Sequence, residues 1–231
     1  MGQSNGDDLD YRAPTAIRGY PTPLPAWKPV AAAALQSAPY NRICQIGLQT
    51  PAGVVGIGSG WRAHPEQIWT AAHVVAGRSD LRIRLAGETE WCEAGRANIP
   101  TDYYRPGGRE QKCSAFDLAS LPFSASSGFT DADFPSLTDN SIDAVAVGFS
   151  GGVLVEHRDS AIHADAFVAH NCHTDQEHSG CPVFTQGGLT ALHLGLFAGS
   201  RRYLKPPASN LTGYLNSAVR LTAAIKWLIK I

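Results

Sequence analysis

The chain has little that would tie it to a metal, a membrane or a polyanion. None of its five cysteines (Cys44, Cys92, Cys113, Cys172, Cys181) forms a Cys-x-x-Cys pair, and its eight histidines form no His-Glu-x-x-His, so the common zinc arrangements are missing. No apolar run is long enough to span a bilayer. A formal net charge of −1 gives no electrostatic pull toward nucleic acid or anionic lipid. Met1–Asp8 is polar and acidic, with no basic segment followed by an apolar one and no Ser or Thr at the sixth position. A cytoplasmic protein with reduced thiols is therefore expected. The alternative is a secreted protein whose leader has been removed, and only then is Asn210-Leu211-Thr212 a glycosylation site.

What is present suits a strand-rich fold. The 231 residues are 44% hydrophobic and 17% charged, enough to bury one large core or two small ones. Twenty-three glycines and 15 prolines are spread along the chain, as many short strands with turns between them require. No internal repeat is evident. Residues 1–38 are rich in Pro, Gly and polar groups, with an Ala run at 31–34, and read as an extended arm wrapping the domain surface.

From Arg42 the pattern is that of strands. Ile43–Leu48 and Gly53–Trp61 flank a hairpin turn. Gln67–Ala71, Asp80–Leu85, Thr89–Ala94 and Phe116–Pro122 follow, with Leu81, Ile83 and Leu85 alternating onto one face. Residues 99–113 carry Pro100, Pro106, Gly107 and Gly108 and read as loop. After a linker over 124–140, further strands are expected at Asp143–Phe149, Gly152–His157, Ile162–Ala169, Cys181–Thr185 and Leu189–Phe197, with one more near Tyr203 and a tight turn at Gln186–Gly188. A terminal helix, capped by Asn216 or Ser217, would carry Val219, Leu221, Ala224, Ile225, Leu228 and Ile229 on one face. The expected architecture is all-β: two antiparallel Greek-key β-barrels over 39–125 and 126–231, with a C-terminal α-helix.

Three residues stand out chemically. His73 lies in Trp69-Thr70-Ala71-Ala72-His73-Val74-Val75, just after a strand. Asp117 lies in the apolar Phe116-Asp117-Leu118-Ala119. Ser179 opens Ser179-Gly180-Cys181-Pro182-Val183. A base, an orienting carboxylate and a hydroxyl are what nucleophilic catalysis by serine needs. Asp102, in a Pro-flanked loop, is the rival carboxylate; each of the three also has an ordinary structural explanation.

These residues, in the order His, Asp, Ser, resemble those of the chymotrypsin-like serine peptidases, and within them the glutamyl-endopeptidase-like branch. The likeness runs from Arg42 onward. It includes Gly56-Ile57-Gly58-Ser59-Gly60-Trp61 before the histidine, the Ile99–Gly108 loop, Val147-Gly148-Phe149-Ser150-Gly151, Asn171-Cys172-His173-Thr174 and Leu192-His193-Leu194-Gly195. It implies a catalytic set His73, Asp117 and Ser179, with backbone N–H groups of Glu177 and Ser179 forming the oxyanion hole. It implies a primary pocket built from His173, Thr174 and His193, and cleavage of a protein or peptide substrate after Glu or Asp. A hydroxyl and an imidazole suit a carboxylate; the alternative for His193 is a core histidine. No metal or other cofactor, nucleic acid or membrane is implied.

The chain departs from the family at Gln176-Glu177, where relatives usually carry glycine. A glycine allows the turn that aims an N–H inward, and a Glu adds a carboxylate near a developing anion. The expectation is an enzyme needing activation, with a protein partner as one source of it, since no Ile-Val-Gly-Gly activation sequence is present and Arg42-Ile43 resembles one only faintly. The competing expectation is a protease-like module that only holds a peptide. His178 is expected to point to solvent, and His64, His157, His163 and His170 to be structural or at the surface. Cys172 and Cys181 could form a disulfide or remain buried thiols. Arg201, Arg202 and Lys205 could attract an acidic substrate or form a solvated loop.

Overall fold

The computed structural model describes residues 27–104, 116–124, 143–164, 167–185, 188–196 and 216–221. Strand β1 is Lys28–Pro29. β2 (Ile43–Thr50), β3 (Gly53–His64) and β4 (Gln67–Thr70) follow, then the short helix α1 (Ala72–Val75). β5 (Leu81–Leu85), β6 (Cys92–Glu93) and β7 (Ala119–Pro122) complete the first half. The second half contains β8 (Asp143–Ser150), β9 (Val153–Ala164), β10 (Phe167–His170), β11 (Pro182–Thr185), β12 (Gly188–Leu196) and β13 (Asn216–Arg220).

Both halves follow the same winding. In the first, β2, β3 and β4 form a meander and β5 returns beside β2, giving the order β6-β5-β2-β3-β4-β7. In the second, β8, β9 and β10 form a meander and β11 returns beside β8. Three hairpin-connected strands with the fourth beside the first is a Greek key. Among the described residues every strand pairing is antiparallel. The first sheet curls until the bridge Ala94–Phe123 joins its two ends. The second closes through β13, which lies between β10 and β12, and through the β8–β9 pairing. Closure removes the exposed strand edges that an open sheet would present.

Alternation explains the cores. Leu81, Ile83 and Leu85 are buried while Arg82 and Arg84 are only half so, as a period of two requires. A large cluster around Ile43, Ile46, Trp61, Ile68 and Leu121 continues into Val147, Phe149, Leu192 and Val219 of the second half, so the barrels share packing. The Trp61 and Phe184 rings meet edge to face at 5.6 Å across that boundary. A smaller cluster of Ala144, Ala146, Val168, Cys172, Cys181 and Val183 fills the second barrel. Cys44, Cys92, Cys172 and Cys181 are free thiols, so the disulfide alternative for Cys172 and Cys181 is set aside.

Several boundaries differ from the sequence expectation. β9 runs unbroken to Ala164, and β10 begins at Phe167, so the reversal falls inside the segment expected as one strand. Of the expected 89–94 strand, only Cys92–Glu93 forms a strand paired with β5, and Ala94 adds the single bridge to Phe123. Asn216 and Ser217 do not cap a helix: they open β13, whose apolar residues satisfy a sheet face as well as a helix stripe. The rest of the expected terminal helix, the 105–113 part of the loop, the 186–187 turn, Cys113, Tyr203, Arg201, Arg202, Lys205 and Asn210 lie outside the described residues, as does the arm before residue 27. Within residues 27–38, Lys28 pairs with Glu156 of β9 and the Val30 N–H donates to the Leu154 carbonyl (3.0 Å); just beyond them, Tyr40 Oη donates to Glu156 Oε2 (2.7 Å).

The second barrel also buries two imidazoles against each other. His170 Nε2 on β10 lies 3.1 Å from His193 Nδ1 on β12. Burial, reinforced by the neighbouring His178, pushes His170 down to about 3, and burial with His170 beside it pushes His193 well below the ordinary imidazole value. In the unfolded chain both would protonate near pH 6.5. Below that pH the unfolded state binds protons that the native state refuses, so stability falls as pH drops from about 6.5 toward 3. Denaturant titrations across this range should show a loss approaching about 1.4 kcal/mol per pH unit for each proton involved. The slope should be smaller in His170→Leu; an unchanged slope would show that this pair does not govern it.

Candidate active site

The site is assembled on a stretch of β3 that presents no side chains to its neighbours. Gly58 and Gly60 alternate and share one face, while the register shift opposite Ile46 and Gly47 turns Gly56 toward Gln45 and Glu177. A Cβ at Gly58 would stand 2.6 Å from Val74 Cγ1 and 3.1 Å from the Ser179 carbonyl. A Cβ at Gly60 would stand 2.7 Å from Ile68 Cγ2 and 3.0 Å from Cys44 Sγ. Only glycine lets α1 and the Ser179 loop approach the strand together. The Ser59 N–H then donates to the Ser179 carbonyl at 2.9 Å, and the Gly180 N–H to the His193 carbonyl at 2.7 Å. Gly180 has φ +83°, and a Cβ there would collide with Thr70 Oγ1 and lie 2.8 Å from Ala71 N. The Ser179 loop of the second barrel is thereby fastened to β3 and to α1, which carries His73.

His73 lies on α1, one turn placed by β4. Its Nδ1 is 2.7 Å from Asp117 Oδ2, and its backbone N–H donates to Asp117 Oδ1 at 2.9 Å. Asp117 is fully buried, whereas 12% of the His73 side chain remains exposed. A buried carboxylate without such donors would be costly, so both oxygens of Asp117 are used to fix one imidazole. Asp117 does not belong to a strand; it precedes β7 in a turn that leaves Phe116 exposed. Asp102 sits in a single 3-10 turn at Thr101–Tyr104, and the carboxylate that grips His73 is that of Asp117.

The residues around Ser179 do not match their expected arrangement. Gln176–His178 is a 3-10 turn capped by Asp175. The Glu177 N–H, expected to face an oxyanion, donates to Asp175 Oδ1 at 2.9 Å. The Ser179 N–H is directed at the Gln176 carbonyl, 3.4 Å away. Asp175 competes for that amide because a carboxylate at an N-cap satisfies the turn's first donors. Both expected oxyanion donors are thus turned to intraloop acceptors. Burial raises the Asp175 carboxyl, but hydrogen bonds from His178 and Ser150 outweigh it and hold the group below its ordinary value.

His178 is a second correction. It is 1% exposed rather than solvent-facing. Its Nδ1 lies 2.8 Å from Asp175 Oδ1, and its ring packs 5.3 Å from that of Trp27 on the arm. Nothing in the local sequence marks this burial, because Trp27 lies far away in the chain. Trp27 also meets His173, at 5.9 Å between rings. His173 is almost buried, and its backbone N–H donates to His157 Nδ1 at 3.0 Å. Burial, with His157 nearby, lowers the His173 imidazole. Thr174 is half-buried beside it, and His193 is 1% exposed on β12. Among the described residues, no group of three or more His, Cys, Asp or Glu side chains gathers as metal ligands do.

No protein-family model and no curated relative matches the chain. Solved structures do resemble it. The serine endoprotease from Yersinia pestis aligns with a TM-score of 0.56 at 16% identity, over 88% of this chain and 67% of that one. The MamO protease domain from Magnetospirillum magneticum aligns with a TM-score of 0.56 at 14% identity, over 81% of this chain and 95% of that one. The two Greek-key sheets and these likenesses together give the chain the two-barrel fold of the chymotrypsin-like serine proteases.

Proposed function

We propose that the chain is a serine endopeptidase that uses His73, Asp117 and Ser179. The observation that carries this reading is the doubly bonded His73–Asp117 pair beside the fastened Ser179 loop. With Nδ1–H donated to Asp117, the free lone pair of His73 is on Nε2. In the proposed reaction Nε2 takes the Ser179 proton while Oγ bonds to the substrate carbonyl carbon. The tetrahedral oxyanion collapses, the C–N bond breaks, and His73 gives its proton to the leaving amine. Water then attacks the ester with His73 again as base, and Ser179 is restored. Each step is a proton or acyl transfer among these side chains, substrate and water.

Selectivity for Glu is supported by a tautomer argument. If His170 Nε2–H donates to His193 Nδ1, the unpartnered atom is the His170 Nδ1 lone pair. The opposite arrangement would bury an unpartnered N–H, which is less readily tolerated. The favoured tautomer leaves His193 with its donor on Nε2, where a carboxylate side chain could accept it, and Thr174 adds a hydroxyl. The protein or peptide substrate would present Glu, or Asp, at that pocket.

The resting loop is read as restrained, because both expected oxyanion donors are directed elsewhere. An activating protein partner or the substrate itself would then have to redirect them. The cytoplasmic reading of the sequence is kept as part of this proposal.

Three outcomes follow. A fluorophosphonate probe should label the protein slowly, and Ser179→Ala should abolish the labelling; persistent labelling in that variant would place the nucleophile elsewhere. Replacement of Glu177 by Gly should raise turnover by about 10²-fold or more, the range associated with one oxyanion donor, and equal rates would remove the restraint. Peptide-library profiling should show cleavage after Glu, and His193→Leu should lower kcat/KM for Glu peptides by about 10- to 100-fold, as for one hydrogen bond to a charged group. A basic or aromatic preference would refute the pocket assignment.

A further inference from the structure

Resting on the peptidase reading, we infer that a cross-barrel latch, Arg84–Gln45–Glu177, holds the oxyanion loop in its turned-away form, and that Gln45 is the residue whose grip sets the basal activity.

The latch arises from one row of the first barrel. Arg84 on β5, Gln45 on β2 and Ser59 on β3 are direct cross-strand partners. Arg84 Nη2 donates to Gln45 Oε1 at 2.6 Å and to the Gly152 carbonyl at 3.2 Å, while its guanidinium lies 4.9 Å from the centre of the Trp91 ring. Because Gln45 Oε1 is engaged by a cation, its amide nitrogen must face the other way. There Nε2 donates to Glu177 Oε2 at 3.2 Å. The next member of the row, Ser59 Oγ, donates to the Glu177 carbonyl at 2.8 Å and accepts the Phe149 N–H at 2.9 Å.

Glu177 is therefore held at its carboxylate, its carbonyl and, through Asp175, its amide. Aiming that amide at a substrate oxyanion requires the 176–177 peptide to rotate. Rotation that carries the Glu177 side chain away leaves the buried Gln45 N–H group without its acceptor. Gln45 is 3% exposed, a buried amide between Cys44 and Ile46 of β2, and burying an amide is costly unless its hydrogen bonds are satisfied. A buried amide oriented by a cation and directed at the oxyanion loop is accounted for by the latch.

The experiment compares the full chain with Gln45→Leu, Glu177→Ala and the double variant, reading kcat, KM and the rate of fluorophosphonate labelling at Ser179. Gln45→Leu should raise kcat and labelling by about tenfold or more, the factor for one hydrogen bond to a charged group, with KM within about twofold of wild type, as for an effect confined to the loop's equilibrium. Glu177→Ala should do the same, and the double variant should not exceed the larger single effect, because both remove one contact. If Gln45→Leu does not fold, Arg84→Met, which frees the Gln45 amide to turn, should show the same direction of change. Labelling no faster than wild type in a folded latch variant overturns the latch alone. So does a Gln45→Leu gain that persists in full on the Glu177→Ala background. An absence of labelling in every variant, Glu177→Gly included, overturns the peptidase reading and the latch with it.

Discussion

The structure depends on the close approach of the Ser179 loop to β3. The Ser59 N–H to Ser179 carbonyl bond is a backbone contact between two barrels, and it forms only because Gly58 presents no Cβ to Val74 or to that carbonyl. Any side chain there would push the loop off the strand and away from α1. Gly180 meets the same demand from the other side, with a positive φ and no room beside Thr70 and Ser59. Two glycines far apart in the chain thus define one seam, and the candidate catalytic residues lie along it.

Two carboxyl-centred networks, one around the buried Asp117 and one around the half-buried Asp175, flank that seam with opposite consequences. Asp117 spends both oxygens on His73 and fixes its imidazole. Asp175 spends its oxygens on His178, Ser150 and the Glu177 amide, and fixes a turn. In the proposed peptidase the first arrangement would serve proton transfer. The second draws away a donor that a developing oxyanion would need. Trp27 adds weight to the second, since its ring covers His178 and His173 from the arm. The chain therefore holds one imidazole and one loop in place, each through a carboxylate.

Much of the fold was legible. Alternation in Leu81–Leu85, the hairpin at residues 51–52 and the glycine-rich β3 follow from period-two patterning and turn chemistry. Asp117 could be preferred over Asp102 because an Asp among apolar residues has to be bonded when buried. The β9–β10 reversal was not legible, because residues 152–169 alternate acceptably through either a break or a continuous strand. β13 was misjudged as the start of a helix for a related reason: a short apolar segment fits both periods, and only its partners β10 and β12 distinguish them.

Residue order and residue type by themselves determined most of the strands, because alternation and turn chemistry are local properties, and they singled out His73, Asp117 and Ser179 as candidates by functional-group chemistry. Glu177 in place of glycine pointed to a restrained 175–179 loop, but the contacts that hold it were decided only by the tertiary structure. They are Asp175 capping Glu177, Gln45 and Ser59 reaching across from another barrel, and Trp27 covering His178. A hydrogen bond has a direction as well as a donor and an acceptor, and directions are set by packing between segments that the linear order keeps far apart.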